Sequence, residues 1–504
     1  MAPAEPPQFQ SLTRTRLLAR NVGYNLVGML LPLIVAVTAL PLLIKGLGAE
    51  RFGVLALSWV VLGYFGVFDF GLGRVVTKMI GEKLGQDRSE EVPAIAWTGL
   101  FFLAILGVIM SAALYLLSPL LVLRLLKISV PLQQEALQAF RVLAASVIFI
   151  MLTVGLRAVQ EAYQKFAVLN LIRSANGVLS YLAPLALLPF TQTISRYVLM
   201  LTGVRALFMA VNAVACAVQF PHSRRAVRLD LRLAKPMFRL GGWMSISNLI
   251  GPVMVYFDRF LMGAWISVAA VTFYVTPYEV IIKLLVITSA VVQVLFPAFS
   301  MSIGADREKT ALLYSRALRV LLLLFSPITL GIVLFARLGL SLWLSPEFAE
   351  KSTHVAQWLA IGILLNAPGQ IAYILLQAGG RPDLTAKVHI VETPFYLTAL
   401  FFGVKFFGIT GAAAAWALRL LIELFVLLYL VKSKLNLRVQ NIGEFSRIVL
   451  AEFALLVLLT CFQIPYLLAA VMLLLGSLIS LVIFKPPASL GGLSLLSPFP
   501  RGTR

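Results

Sequence analysis

Ten charged side chains fall inside or close to long apolar runs of this chain: Arg141, Arg205, Asp258, Arg259, Glu279, Lys283, Glu392, Arg419, Glu423 and Glu452. A charge facing hydrocarbon at the middle of a bilayer costs about 3 kcal/mol or more, so each is expected to face a wet cavity or an opposite charge. Glu279/Lys283 and Arg419/Glu423 are spaced so that each couple shares one helix face and pairs there. Asp258 and Arg259 are adjacent and point in different directions on a helix, which makes mutual neutralisation awkward. Near the outer end of a span they would snorkel to water instead. Arg141 lies close to an outer end as well, and Arg205 lies deeper. Cations outnumber anions in the first half. A cavity lined by Arg and Lys within low-dielectric walls attracts anions, and the forked guanidinium suits phosphate.

The elements that must position these residues are transmembrane helices. The chain has 504 residues, 60% hydrophobic and 12% charged, against about 25% charged in soluble domains. About fourteen apolar runs have the roughly 17–25 residues that cross a hydrocarbon core as a helix. Lys and Arg crowd alternate gaps, as expected when those gaps stay in the cytoplasm. These gaps hold Arg74/Lys78/Lys83/Arg88, Arg157/Lys165/Arg173, Arg307/Lys309/Arg316/Arg319, Arg381/Lys387 and Lys432/Lys434/Arg438/Arg447. The largest holds Arg224, Arg225, Arg228, Arg232, Lys235 and Arg239. Both termini then lie in the cytoplasm, and no outer loop is large enough for a catalytic domain. The net charge of +21 is thus topogenic and faces anionic lipid, not nucleic acid.

The predicted fold is an all-α integral membrane protein with two pseudo-symmetric six-helix lobes and a C-terminal helix pair. The N-lobe covers 1–220, a basic cytoplasmic linker 221–240, the C-lobe 241–432, the last span pair 433–484 and a flexible tail 485–504. Asn25-Leu26-Val27-Gly28 in the first span matches Asn248-Leu249-Ile250-Gly251 in the seventh. Six spans separate them, so the repeat is parallel, as in transporters built from two six-helix halves.

Pro32, Pro252, Pro277 and Pro368 interrupt spans and are expected to act as hinges, since Pro removes a backbone bond that must be met in a cavity or in protein. Pro is also simply common in membrane helices. Phe68-Asp69-Phe70-Gly71-Leu72-Gly73-Arg74 gives a tight exit from the second span, with Asp69 placed to pair with Arg74 or Lys78 in a structural or gating role. No strand precedes its glycines and no P-loop Lys follows, so no nucleotide site is expected. Cys216 and Cys461 have no redox or metal spacing, and His222, His354 and His389 are scattered, so no metal or cofactor is expected.

Several stretches carry a family resemblance. Arg20-Asn21 through Asn25 and Pro32, Pro41-Leu42-Leu43, Leu47-Gly48-Ala49-Glu50-Arg51-Phe52-Gly53 and Phe68 to Gly73 resemble the start of bacterial polysaccharide transporters. So do Gly241-Gly242-Trp243, Asn248, Pro252, Asp258-Arg259, Tyr274 and Pro297-Ala298-Phe299-Ser300. These are the O-antigen and exopolysaccharide flippases of the multidrug/oligosaccharidyl-lipid/polysaccharide exporter superfamily, and the likeness spans about residues 14–432. The resemblance implies two six-helix lobes around a cavity that opens alternately to either side. It implies transfer of an undecaprenyl-diphosphate-linked oligosaccharide to the periplasmic leaflet of the inner membrane, alongside polymerase and assembly proteins. Arg205 and Lys283, with Arg141 and Arg259, would then bind the diphosphate. Asn25 and Asn248 would line the seam, with Asp69 and Asp258 in seam or gating positions. Glu279 would release Lys283 during the cycle or couple it to protons. The Arg-Asp couple expected in the first span of lipid II flippases is absent, with Asn25 there instead.

Other classes remain open. An ion-coupled efflux pump for cationic drugs needs embedded carboxylates, which the first half lacks apart from Asp69. A membrane glycosyltransferase, polymerase or ligase usually presents catalytic residues on a sizeable outer loop. A scaffold for polysaccharide assembly would carry deep charges at needless cost. The chain is therefore expected not to be an enzyme.

Overall fold

The computed structural model describes residues 15–66, 69–86, 88–219, 229–435, 437, 442–462 and 464–483, with backbone only at 15–30, 166, 239–253, 255, 297, 305, 482 and 483. All its regular structure is helical. The α-helices are α1 (Thr15–Phe65), α2 (Leu72–Gly85), α3 (Val92–Leu120), α4 (Val130–Ala162), α5 (Phe166–Leu187), α6 (Ile194–Gln219) and α7 (Ala234–Trp265). They continue as α8 (Val268–Ile281), α9 (Leu285–Ala305), α10 (Arg307–Trp343), α11 (Pro346–Ala378), α12 (Pro382–Lys434), α13 (Ile442–Thr460) and α14 (Tyr466–Ile483). Among the described residues, eight helical stretches are long and apolar enough to cross a membrane. Two of these are double: α1 leaves helical geometry at Gly48 (φ 77°) and α12 at Gly408 (φ 60°). Positive φ is costly for any residue with a Cβ, so glycine supplies both breaks.

Packing divides the chain into Met1–Thr276 and Pro277–Arg504. In the first unit α4 packs on α3 and α6, and α1 on α5. The Gly48 end is fastened by carboxylates. Glu50 accepts from the Ser129 backbone N at 2.6 Å and the Ser129 hydroxyl at 2.9 Å, just ahead of α4. Glu135 pairs with Arg51 at 3.5 Å and accepts from the Ile194 backbone N that opens α6. A Cβ on Gly53 would lie 2.1 Å from the Val268 carbonyl oxygen, so only glycine allows that approach. The run Gly48 to Gly53 is therefore a structural corner. In the second unit α11 packs on α10, α12 and α9, while α13 and α14 pack on α10. The two halves of α12 approach so closely beside Gly408 that a Cβ on Gly411 would lie 2.0 Å from the Gly403 carbonyl oxygen.

The fourteen-residue helix α2 falls in what the sequence presents as a polar gap. It packs on α4, α3 and α7. Its mixture of Val, Leu and Ile with Lys makes it amphipathic, too short and too charged to register as a span. The proline positions are less disruptive than expected. Helical backbone runs through Pro32, Pro41 and Pro368 without a break, whereas Pro277 precedes a 3-10 turn at Ile282–Leu284.

Candidate functional site

Asp69 is 6% exposed and stands at the start of α2. Phe70 (φ 51°) and Gly71 (φ 69°) turn the chain through the left-handed region. This aims two backbone donors at one carboxylate. Gly71 N donates to Oδ1 at 2.9 Å and Gly73 N to Oδ2 at 2.8 Å. A carboxylate is favoured there because the N-terminal amides of a helix lack partners and carry positive potential. Expected pairing with Arg74 or Lys78 is replaced by this cap; Lys78 instead pairs with Glu82 at 3.7 Å. The cap wins because its donors are fixed by the backbone and already buried, whereas a lysine would lose rotamer freedom to reach the same oxygen.

Arg205 projects from α6 towards α5. Its Nη1 donates to the Asn176 Oδ1 at 2.8 Å, and its buried Nε has no hydrogen-bond partner among the described residues. No carboxylate pairs with it there. Tyr181 of α5 lies against the ring of Trp59, with centroids 5.2 Å apart. This region thus presents a guanidinium with spare donors among amide and aromatic groups.

Asp258 and Arg259 do pair, contrary to the expectation from their adjacency. Arg259 Nη1 lies 3.1 Å from Asp258 Oδ1, which also accepts the Arg259 backbone N at 2.8 Å. Tyr274 of α8 donates its hydroxyl to Asp258 Oδ2 at 2.7 Å. The guanidinium carbon lies 5.4 Å from the Tyr256 ring centroid and 6.0 Å from that of Tyr274. Arg259 is 1% exposed and Asp258 3%, so neither snorkels. The short Asp side chain folds back over its own peptide, and a tyrosine from the next helix completes its shell. These bonds and the aromatic faces beside the guanidinium hold the couple in the interior. Arg141 is different: it is exposed, with its guanidinium 5.4 Å from the ring of Tyr115 on α3. Arg141, Arg205 and Arg259 therefore have separate partners and do not converge on one described contact.

In the second unit Lys283 and Glu279 pair at 3.9 Å, as their spacing predicts, beside the 3-10 turn that interrupts the helix. Lys283 and Glu279 remain partly exposed, at 37% and 24% of their side chains. The predicted Arg419–Glu423 pair is also present, at 2.8 Å. It belongs to a larger network. Arg419 Nε lies 3.6 Å from Glu392 Oε1, which lies 2.7 Å from His389 Nδ1. The Gly408 break brings these two halves of α12 together, a link that i,i+4 spacing alone does not reveal. His389, Glu392 and Glu423 offer three ligand atoms within 4.8 Å of one another, although the histidines are scattered in sequence. The Arg419 guanidinium, hydrogen-bonded to Glu423 and ion-paired with Glu392, already supplies positive charge at this spot. Beside the network the two halves of α12 form an apolar cavity of about 650 Å3. Asn25, Asn248 and Pro252 have side chains outside the described residues.

Comparisons with known proteins agree with this helical architecture. Residues 43–353 match the family model described as polysaccharide biosynthesis protein. A putative O-antigen transporter of Shigella flexneri is 30% identical over 411 residues, covering 82% of this chain and 97% of its own. A probable low-salt glycan biosynthesis flippase of Haloferax volcanii is 25% identical over 186 residues, 37% of this chain and 39% of its own. Among solved structures, the inward closed conformation of the lipid II flippase MurJ superposes with a TM-score of 0.68 at 15% identity, covering 91% of this chain and 98% of that one. An inward-facing multidrug resistance MATE family transporter of the MOP superfamily gives 0.65 at 17% identity, covering 82% and 98%. The fold is that of MOP-superfamily transporters, and the chain belongs to the polysaccharide biosynthesis protein family.

Proposed function

We propose that this protein is a flippase for a lipid-linked oligosaccharide, carrying an undecaprenyl-diphosphate-linked saccharide from the cytoplasmic to the periplasmic leaflet of a bacterial inner membrane for surface polysaccharide assembly. One observation carries the reading furthest. Arg205 is an embedded guanidinium whose sole described hydrogen-bond acceptor is a neutral amide, Asn176. A cation kept in a membrane helix without a counter-charge is expected to serve a mobile anion, and a diphosphate matches a guanidinium fork. The names of the Shigella and Haloferax relatives support a glycan-lipid substrate.

In this reading the polyprenyl tail stays in the bilayer while the sugar crosses by alternating access. This reading takes fourteen spans, with α1 and α12 divided at their glycine breaks, α8 joined with α9 and α2 outside the count. In this reading the basic gaps and both termini face the cytoplasm, and the Gly48 corner faces the periplasm. Lys283 is a second phosphate contact, freed when Glu279 lets go. Arg259 contributes from its aromatic cluster only if the Asp258 pair opens, and Arg141 meets headgroups at the surface.

A cation exporter is the second reading, favoured by Glu392 and Glu423 beside an apolar cavity. Arg419 bridges both carboxylates, which leaves His389 to decide whether the network carries net negative charge.

The test is surface-polysaccharide production in a deletion host complemented with Arg205→Ala or Lys283→Ala. Each is expected to abolish export at normal membrane abundance, with Arg205→Lys recovering part because it restores charge without the fork. Wild-type export from both alanine variants would remove the site assignment.

A further inference from the structure

The turn between α13 and α14 closes a cavity of about 550 Å3 whose other walls are the end of α10 and the start of α11. Arg337 and Glu350 both line it, and neither has an ion pair among the described residues. Two opposite charges that share a cavity without bonding each other leave their hydrogen-bonding capacity to a ligand. Gln357, 6% exposed, sets a third group. Its amide donates from Nε2 to the Val333 carbonyl at 2.8 Å, so its Oε1 must be the acceptor facing His354 Nδ1 at 3.0 Å. Nδ1 then carries the hydrogen, and Nε2 of a neutral His354 is an acceptor. Tyr466, 50% exposed, puts an aromatic ring in the wall.

The combination selects a chemical class. A phosphate headgroup would gain from Arg337 but would meet the Glu350 carboxylate in the same space. A polyol suits both, because every hydroxyl donates and accepts at once. The apolar share of the wall, with Tyr466, fits the CH face of a sugar ring, and the polar share supplies partners for its hydroxyls. We propose that this cavity binds a sugar residue of the exported saccharide at the periplasmic end of the second unit, separate from the diphosphate contacts. The proposal rests on the flippase reading for the identity of its ligand and on the cavity alone for its chemistry.

Cys461 lines the same cavity and is exposed, which supplies the assay. The chain has two cysteines, so Cys216→Ser leaves Cys461 as the single thiol. The full-length protein in phosphatidylethanolamine/phosphatidylglycerol nanodiscs is labelled with a water-soluble maleimide, with and without the lipid-free repeat-unit oligosaccharide of the host polysaccharide. Protection follows 1 + [L]/Kd, so labelling should slow about threefold at twice the Kd. Arg337→Ala and Glu350→Gln, both at exposed positions, should each remove that protection while unliganded labelling persists. Protection by glycerol 1-phosphate but not by the oligosaccharide would overturn the proposal in favour of a headgroup site. No protection, equal protection in the variants, or an unreactive Cys461 without ligand would also overturn it. The readout needs no turnover, so it separates this site from the transport reading, which the Arg205 and Lys283 complementation decides.

Discussion

Replacing Asp69 separates a structural cap from a substrate contact. Asp69→Asn keeps one oxygen and turns the other position into an NH2 donor facing the Gly73 or Gly71 amide. It therefore keeps one of the two bonds now at 2.9 and 2.8 Å. A hydrogen bond to a charged group is worth about 1.5–3 kcal/mol, and a buried unsatisfied amide adds a penalty of its own. The loss should therefore be at least about 1.5–3 kcal/mol, or roughly ten- to hundredfold in the equilibrium that holds α2 in place. Asp69→Ala removes both bonds and should cost about twice as much. Fluorescence-detected size-exclusion chromatography across a temperature series reads the effect, with export measured in the same strains. The ranking should be wild type, Asn, Ala in both assays, and export should fall in step with folded protein. An Asp69→Asn variant with wild-type thermal stability and no export would refute the reasoning, because the carboxylate would then be acting on substrate or an ion.

Arg259→Ala should destabilise by about 3–5 kcal/mol, since it strands a buried carboxylate, whereas Tyr274→Phe should cost about 1.5–3 kcal/mol for its 2.7 Å bond to Asp258. The same thermal series measures both, and Asp258→Asn combined with Arg259→Met should cost less than the sum of its single changes. Gly411→Ala should sharply reduce folded yield, because its Cβ would lie 2.0 Å from the Gly403 oxygen. Gly339→Ala meets open space in helix α10 and should be neutral or stabilising by up to about 1 kcal/mol.

Hydrophobic length made the helices legible, and their positions follow the apolar runs closely. The Glu279/Lys283 and Arg419/Glu423 pairs were legible for an equally local reason, since four residues on one helix face suffice to define them. What escaped depends on non-local geometry. The Asp258–Arg259 couple is stabilised by Tyr256 and by a hydroxyl from α8, and adjacency on a helix wheel does not report either. Glu392 and His389 join Arg419 because the Gly408 break folds α12 back on itself. Glu50 and Glu135 are not among the charges deep in apolar runs, yet they tie the starts of α4 and α6 to the Gly48 corner. Their signal was present in the spacing of Gly48, Glu50, Arg51 and Gly53, but its meaning needed the partner helices.

The central claim is tested most directly by deleting the gene and measuring lipid-linked oligosaccharide on each side of the inner membrane. Accumulation in the cytoplasmic leaflet with loss of surface polysaccharide is the predicted result. Normal polysaccharide with altered sensitivity to cationic drugs would contradict it and favour the cation exporter.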